Sequence, residues 1–284
     1  MSDQIFNILK PPKLSSFDVV RLFKKKMNIK KVGHFGTLDP FATGVLLIAT
    51  NGATKLTNYV HEKYSKTYIA SGKLGAFSDT GDLTGNILED TFRPLDDDLN
   101  QLNQKFSSFV GDYLQAPHRV SAAKFQGKAL YDWAREGIEI KKEKKNRHIF
   151  SLQVLSYRYP WITFRVEVST GTYIRTLFED MAEKLGTRGY LTSLVREKIG
   201  PHSIRESCDI RKNIPQGKDL TAFVSLPSII LSAEESIRYR NGIRHTLFNQ
   251  AEGFYWIKDS TNQLLGMGEI EGTQVKQVFN VYKN

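Results

Sequence analysis

The stretch GHFGTLDPFATGVLLIAT, residues 33–50, constrains this chain more than any other, because it joins a charged turn to an apolar run. Asp39 and Pro40 stand between glycines, and the apolar run that follows has the length of a buried strand or helix segment. A charge that leaves water without a partner is costly. Asp39 is therefore either a solvated turn residue or a carboxylate that another segment pairs with and uses, and the pattern alone leaves both open.

Length and composition predict one main domain with a small appendage, since the chain has 284 residues, of which 40% are hydrophobic and 25% charged. No apolar stretch reaches membrane-spanning length, and the first residues lack the pattern of a secretory signal. The single cysteine, Cys208, provides neither an intrachain disulfide nor a thiolate metal site. We therefore expect a protein of the reducing cytoplasm.

The charge balance indicates a polyanionic partner. Forty Lys and Arg residues face thirty Asp and Glu residues, which gives a net charge of +10. Basic proteins bind nucleic acids because each neutralised phosphate releases counterions. The alternative is a basic surface that only aids solubility.

Several segments have clear periodicity. Residues 15–27 predict a helix that Ser15 and Asp18 begin as a capping box and whose apolar face carries Phe17, Val20, Phe23 and Met27. Residues 64–74 and 161–168 predict strands, and the second alternates strictly between apolar and polar residues. A helix is expected from Ile174 to Gly186. After about residue 213 a linker, a short helix and three short strands predict a small β-rich appendage.

The familiar cofactor and hydrolase motifs are absent, because the sequence contains no GxxxxGK[ST], GxGxxG, HExxH or GxSxG. Asp39 remains a candidate carboxylate nucleophile, a role that requires no metal or cofactor, and a structural Asp-Pro turn is the alternative. Asp79 and Asp82 lie in a Gly-rich loop whose spacing fits no EF-hand, so we expect Asx turns there.

Arg175 is unusual because it falls in the first turn of its helix, where the dipole disfavours a cation. A carboxylate partner would offset this, and Asp39 is a candidate; an exposed arginine is the alternative. Tyr173 suits base stacking or core packing equally, and His34 suits a turn or an RNA contact. Residues 118–137 mix basic and aromatic residues and precede a lysine-rich run at 141–148. This pattern suits an RNA-binding arm, and a solvated loop is an equally good interpretation of the lysine run.

Taken together, these segments resemble the TruB family, the bacterial tRNA pseudouridine-55 synthases, from about Ile8 to the C-terminus and most closely up to about residue 200. GHFGTLDPFATGVL resembles the family's nucleophile segment. The resemblance implies that Asp39 is the nucleophile and that His34 fills the space left by a flipped nucleotide.

Three further motifs extend the resemblance. SKTY implies that Tyr68 stacks on the target uracil, and GTYIRT implies that Tyr173 lies in the site and that Arg175 pairs with the nucleophile and keeps it ionised. YLTSLVR implies that Leu194 lies against the base. The chain departs from the family pattern at Leu9, Lys13 and Val195.

The resemblance implies an α+β pseudouridine synthase fold with a mixed, largely antiparallel central sheet flanked by helices. It implies a catalytic domain at 1–213, a thumb-like RNA-binding insertion at about 117–148, and a shortened PUA-like RNA-binding domain at 225–284. The implied reaction is isomerisation of uridine 55 in the T-loop of tRNA by base flipping, without metal or cofactor. The implied partner is the T-arm of tRNA, with no membrane and no obligate protein partner, and the protein is expected to be a cytoplasmic monomer.

Two other functions remain open on the sequence. One is a tRNA-folding chaperone whose RNA binding does not depend on Asp39. The other is a guide-dependent synthase that acts on ribosomal RNA. Within the synthase hypothesis, Asp39 attacks either C6 of the ring or C1′ of the ribose, and Tyr68 or a water removes the C5 proton.

Overall fold

The structure is a computed structural model that describes residues 3–89, 97–121, 123–138, 140, 142–243, 245–246 and 250–281. The α-helices of these residues, numbered along the chain, are α1 (Ser16–Met27), α2 (Thr57–Lys63), α3 (Leu99–Phe106), α4 (Leu130–Arg135), α5 (Ile174–Lys184), α6 (Leu220–Phe223) and α7 (Ala233–Arg240).

The strands, numbered in the same way, are β1 (Gln4–Lys10), β2 (Val32–Phe35), β3 (Thr43–Thr50), β4 (Lys66–Leu74), β5 (Ala76–Ser78), β6 (Ile87–Glu89), β7 (Gly111–Gln115), β8 (Lys124–Phe125), β9 (Lys128–Ala129), β10 (Lys145–Arg158), β11 (Trp161–Val168), β12 (Gly189–Ile199), β13 (His202–Ser203), β14 (Lys218–Asp219), β15 (Ser228–Ile230), β16 (His245–Thr246), β17 (Gly253–Lys258), β18 (Leu264–Glu271) and β19 (Gln274–Asn280).

A large sheet of ten described strands organises the molecule, in the order β14-β1-β3-β12-β4-β11-β10-β7, with β13 on β12 and β2 on β3. Only the short contact between β12 and β3 is parallel among these pairs, so the sheet is mixed and largely antiparallel. The two strands meet at Gly44, which has a φ of +118° and leaves no room for a Cβ against the backbone of Arg196. The predicted fold class is therefore confirmed.

The first helix confirms its predicted cap but not its predicted face. Ser15 is the N-cap of α1 and forms a capping box with Asp18. Val19, Val20 and Phe23 are buried, whereas Phe17 is 62% exposed, so the prediction that Phe17 belongs to the apolar face is wrong. The buried face of α1 consists of Ser16, Val19, Val20 and Phe23. It therefore includes Ser16 and Val19 and excludes Phe17.

The strand and helix on which the candidate arginine depends follow the sequence prediction closely. β11 spans the predicted residues 161–168, and its four alternate apolar residues are buried. The following helix, α5, buries Leu177 and Met181 against the large sheet. Arg175, one residue into α5, is itself buried and only 4% exposed. A cation in this position requires partners from other parts of the chain.

The predicted thumb-like insertion leaves the large sheet after β7 and returns in β10, which pair with each other. Between them lie the short hairpin of β8 and β9 and the helix α4. Residues 122, 139 and 141 of the predicted insertion lie outside the described residues.

A second sheet near the C-terminus has the strand order β15-β17-β18-β19-β16. The helix α7 lies between β15 and β16 in the sequence. Trp256 and Phe279 of this sheet share a buried cluster with Val45 and Leu47 of β3, so the two sheets are joined by a common core. The predicted small β-rich C-terminal unit is thus present. None of the described helices is both long and apolar enough to span a membrane.

Candidate active site

A cavity of about 990 Å³ lies where the turn around Asp39, the start of α1, the loop after β5 and the predicted insertion converge. Three of the six residues singled out in the sequence line it: His34, Asp39 and Arg175. Its walls also include apolar side chains from the insertion, among them Tyr131 and Ile138. The cavity therefore combines a charged floor with partly apolar walls.

Asp39 and Arg175 form the bidentate ion pair that the sequence predicted. The Nε of Arg175 donates to Oδ2 of Asp39 and its Nη2 donates to Oδ1, each at 2.9 Å. Asp39 keeps 32% of its side chain exposed, whereas Arg175 is almost fully buried. Two parallel charge-assisted bonds fix the orientation of a carboxylate as well as its charge. The carboxylate is thus held at the bottom of an accessible cavity.

The other donors of Arg175 are satisfied by groups that the sequence did not reveal. Nη1 donates to the Thr80 carbonyl at 2.7 Å, and Nη2 donates to the Val120 carbonyl at 2.9 Å. Asp82, itself buried, places Oδ2 3.5 Å from Nη1. The guanidinium therefore contacts two carboxylates, and both Asp39 and Asp82 line the cavity. This arrangement offsets the cost of burying a cation.

His118 completes the surroundings of Arg175. Its Nδ1 accepts from the Val120 amide at 3.1 Å and lies 3.2 Å from Nη1 of Arg175. Because both neighbours are donors, Nδ1 has to be unprotonated. Burial is the main cause that lowers the pKa of His118, and this favours the same neutral form. Gly81, with a φ of +70°, allows its loop to lie directly against Nε2 of His118.

Two buried cations hold the backbone of the Asp39 turn from below. The ammonium of Lys10 donates to the carbonyls of Pro40 at 3.2 Å and Ala42 at 2.6 Å. Arg196 donates to the carbonyls of Gly36 at 2.9 Å and Thr37 at 3.3 Å. These bonds preorganise the turn before any substrate arrives.

The start of α1 fixes the turn from a third side. Ser16 Oγ accepts from the Leu38 amide at 2.9 Å and donates to the Leu38 carbonyl at 3.1 Å. Leu38 immediately precedes Asp39. The position of the carboxylate therefore depends on α1 as well as on the sheet.

His34 lies on β2 at the edge of the cavity, with Nε2 3.2 Å from Oγ1 of Thr37. Its pKa is lowered by burial and by the positive charge of Arg196. A neutral imidazole at this place suits contact with an uncharged base better than contact with a phosphate.

Tyr68, Leu194 and Tyr173 do not line the cavity. Tyr68 and Leu194 are buried in one cluster with Leu38 and Ala42, so they belong to the apolar core next to the Asp39 turn. Tyr173 is the N-cap residue of α5, and its backbone amide and carbonyl bind the side chain of Gln115 at 2.8 and 2.9 Å. The structure thus brings Tyr68 and Leu194 together and leaves Tyr173 in a separate contact.

The functional residues that sequence reasoning missed are Asp82, His118, Lys10 and Arg196. One of them left a signal, because Lys10 follows Phe6 and Ile8 at a spacing of two, and β1 buries all three. Asp82 was expected only as an Asx turn. Its Oδ1 does accept from the Thr84 amide at 2.8 Å, while its Oδ2 faces Arg175.

The buried lysines near the turn predict a pH dependence of stability. Burial lowers the pKa of Lys66 to about 7 and that of Lys10 to about 8, whereas an unfolded lysine titrates near 10.4. Between pH 7 and 9 the unfolded chain therefore binds more protons than the folded chain. The free energy of unfolding should rise with pH in this window, by on the order of 1 kcal/mol per pH unit.

Urea unfolding at pH 7, 8 and 9 measures this effect. We expect Lys66→Met to reduce the rise between pH 7 and 8 without abolishing it, because Lys10, with a pKa of about 8, still contributes there. Lys25→Met, at an exposed position of α1, is the matched control and should keep the wild-type slope. A wild-type stability that is constant or falls across this window would contradict the assignment.

Among the described residues, no group of three or more His, Cys, Asp or Glu side chains is arranged to hold a metal ion. Independently of this, the cavity presents an oriented carboxylate paired with a buried guanidinium. Such a site suits covalent attack by a carboxylate on an uncharged ring or sugar.

Comparison with solved structures identifies the fold. The chain matches one in the crystal structure of a Cbf5-Nop10-Gar1 complex with a TM-score of 0.71 and 21% identity, covering 98% of this chain and 85% of that chain. It also matches one in an H/ACA RNP bound to a substrate RNA containing 2′-deoxyuridine, with a TM-score of 0.69 and 20% identity over 99% and 85% of the two chains. The fold is that of the pseudouridine synthases.

Sequence comparison identifies the family. The model of the TruB family pseudouridylate synthase (N terminal domain) matches residues 24–174. The tRNA pseudouridine synthase B of Caldanaerobacter subterraneus subsp. tengcongensis is 35% identical over 96% of this chain and 97% of its own length. That of Clostridium acetobutylicum is 46% identical over 70% of this chain and 68% of its own length. This chain belongs to the TruB family.

Proposed function

We propose that this protein isomerises uridine 55 to pseudouridine in the T-loop of tRNA, with Asp39 as the nucleophile. The observation that carries the proposal is the bidentate Asp39–Arg175 pair at the bottom of a large, open cavity. Membership of the TruB family and the relatives named tRNA pseudouridine synthase B support the substrate. The net charge of +10 suits a polyanionic RNA.

The target base first leaves the stack of the loop, at a cost of a few kcal/mol. It enters the cavity beside Asp39, with His34 at the edge of the cavity and the buried cluster of Tyr68 and Leu194 behind the Asp39 turn. An uncharged ring suits the apolar side chains that line the cavity, whereas the phosphates remain near Arg119 and Arg135 in its walls. Flipping is needed because the reacting atoms of a stacked nucleotide are out of reach of a carboxylate in a cavity.

Asp39 then attacks C6 of the ring or C1′ of the ribose. The bond between N1 and C1′ breaks, the uracil turns, a bond forms between C5 and C1′, and the bond between Asp39 and the substrate breaks to release the carboxylate. C5 loses a proton, to Tyr68 or to a water, and N1 gains one, so the reaction is an isomerisation without a net change in composition. Arg175 balances the negative charge that Asp39 carries before attack and after release. The step requires neither metal nor cofactor.

The rest of the chain serves RNA binding in this proposal. Residues 1–213 form the catalytic domain, the insertion at about 117–148 contacts the T-arm, and residues 225–284 form a shortened PUA-like RNA-binding domain. The protein acts as a cytoplasmic monomer without an obligate protein partner.

Tritium release tests the function. A tRNA transcript labelled with tritium at C5 of its uridines should release about one equivalent per tRNA, because one uridine is converted. Changing the T-loop uridine to cytidine should abolish the release. If wild-type protein binds tRNA tightly and releases no tritium, the synthase proposal is wrong and the RNA-chaperone function replaces it.

A further inference from the structure

Phe17 is the most exposed of the large apolar side chains described in α1, with 62% of its surface exposed. A single exposed phenylalanine needs no explanation in itself. The position of this one does, because Phe17 lines the same cavity as Asp39 and Arg175. It therefore faces the place where the substrate has to lie.

The position of Phe17 relative to Asp39 is fixed by the backbone. Phe17 directly follows Ser16, whose side chain makes both hydrogen bonds to the backbone of Leu38. The capping box of Ser15 and Asp18 fixes the first turn of α1 around it. The ring is thus held next to the nucleophile turn by rigid elements.

The side chain of Arg21 contacts the Phe17 ring and stabilises its position. Its guanidinium carbon lies 5.6 Å from the centroid of the Phe17 ring, within the range of a cation–π contact. Asp18 in turn forms an ion pair with Arg21. Phe17 lines the cavity and Arg21 does not, so the ring remains available to the cavity despite this contact.

A second aromatic ring of the cavity lining also has an arginine beside it, and this arginine, Arg135, itself lines the cavity. Tyr131 of α4 lines the cavity, and the guanidinium of Arg135 lies 5.4 Å from the centre of its ring. The spacing of four residues is the same in both pairs, because residues i and i+4 are neighbours on a helix. The cavity is therefore bordered by two aromatic rings, each backed by an arginine.

The size of the cavity points to an occupant larger than one base. Its volume of about 990 Å³ is near the upper limit of pockets that hold drug-sized ligands, roughly 300–1,000 Å³. A flipped uracil at Asp39 would leave space toward the rim, where Phe17 stands. Aromatic side chains with adjacent arginines bind unpaired nucleotides, since the ring stacks on a base and the guanidinium attracts the phosphates.

We propose that Phe17 is a stacking platform for an unpaired base of the RNA substrate, adjacent in the loop to the base that enters the site. The inference rests on the proposed function for the identity of the RNA. It assigns α1 a direct role in substrate binding, in addition to its role in fixing the Asp39 turn.

The test compares RNA binding by Phe17→Leu, Phe17→Tyr and wild type, using a T-arm stem–loop RNA. Stacking of one base corresponds to roughly a 5- to 150-fold change in affinity. We expect Phe17→Leu to weaken binding within this range, because leucine keeps the apolar surface and lacks the aromatic face. Phe17→Tyr should retain wild-type affinity, because tyrosine keeps the aromatic face. Trp161→Leu is the control, because Trp161 is an aromatic residue that is 50% exposed and does not line the cavity. It lies opposite Lys73 in the sheet, at the end of β4 distant from Lys66.

A second readout follows stacking directly. 2-Aminopurine is placed at each unpaired loop position beside the target uridine, and its fluorescence is measured with each variant. One position should be quenched by wild type and by Phe17→Tyr and not by Phe17→Leu. Wild-type affinity of Phe17→Leu together with an unchanged fluorescence pattern would overturn the inference.

The two proposals fail separately. Binding and fluorescence do not require turnover, so they report on Phe17 even if wild type releases no tritium. Conversely, full tritium release by a Phe17→Leu protein that binds RNA as wild type does would leave the synthase function intact and remove the stacking role.

Discussion

Asp39→Asn is expected to abolish tritium release from tRNA while tRNA binding and folding persist. An amide has the shape of the carboxylate but is a poor nucleophile, so the covalent step is lost. Removal of a nucleophile in other covalent enzymes costs several orders of magnitude, and we expect a fall in kcat of at least about 10,000-fold. Single-turnover tritium release measures the rate, and filter binding measures the affinity.

The chain contains a matched control for this substitution. Asp209 also forms a two-point pair with an arginine, through Arg211 Nε at 2.9 Å and Nη2 at 2.7 Å, and it does not line the cavity. Asp209→Asn should retain near wild-type turnover. Equal losses in both variants would indicate that general destabilisation, rather than the nucleophile, explains the effect.

Arg175→Met is expected to reduce both turnover and stability. It leaves Asp39 and Asp82 without their shared cation, and breaking a buried ion pair by removing one partner costs about 3–5 kcal/mol. The nucleophile also loses the two bonds that orient it. We expect kcat to fall by on the order of 1,000-fold in the fraction that remains folded.

Urea unfolding measures the loss of stability, and single-turnover rates measure the loss of turnover. Arg175→Lys separates the role of the positive charge from that of the planar guanidinium. Lysine restores a positive charge but not the planar fork, so it should recover stability more than turnover. Arg211→Met removes an arginine from an exposed pair and should cost no more than about 1 kcal/mol. If Arg175→Met keeps wild-type stability and turnover, the ion pair between Asp39 and Arg175 contributes to neither.

Asp39 and Arg175 were candidate partners from the sequence because each is anomalous in its own segment, and the resemblance to the TruB family implied that they pair. Asp39 is a charge beside an apolar run, and Arg175 is a cation at the wrong end of its helix. Two anomalies of opposite sign suggest each other even when 136 residues separate them. The regular strands and helices were predictable for a similar reason, since local periodicity determines which side is buried.

Other parts of the site depend on contacts between segments that are distant in the sequence, and the local pattern of apolar and polar residues does not predict such contacts. His118 and Asp82 act only through their distance to Arg175, which the packing of the loops against α5 sets. Arg196 lies in a strand where an alternating pattern allows either face. Phe17 misled the prediction because its spacing fits the apolar stripe of α1, whereas the turn at Leu38 draws Ser16 inward instead.

The most direct test of the account uses a tRNA with tritium at C5 of one T-loop uridine alone, prepared by ligation of RNA segments. Wild type should release all of this label, and Asp39→Asn should release none above background. Equal release by the two proteins would show that another group is the nucleophile. Release from a transcript labelled elsewhere, with none from the T-loop uridine, would contradict the proposed substrate position.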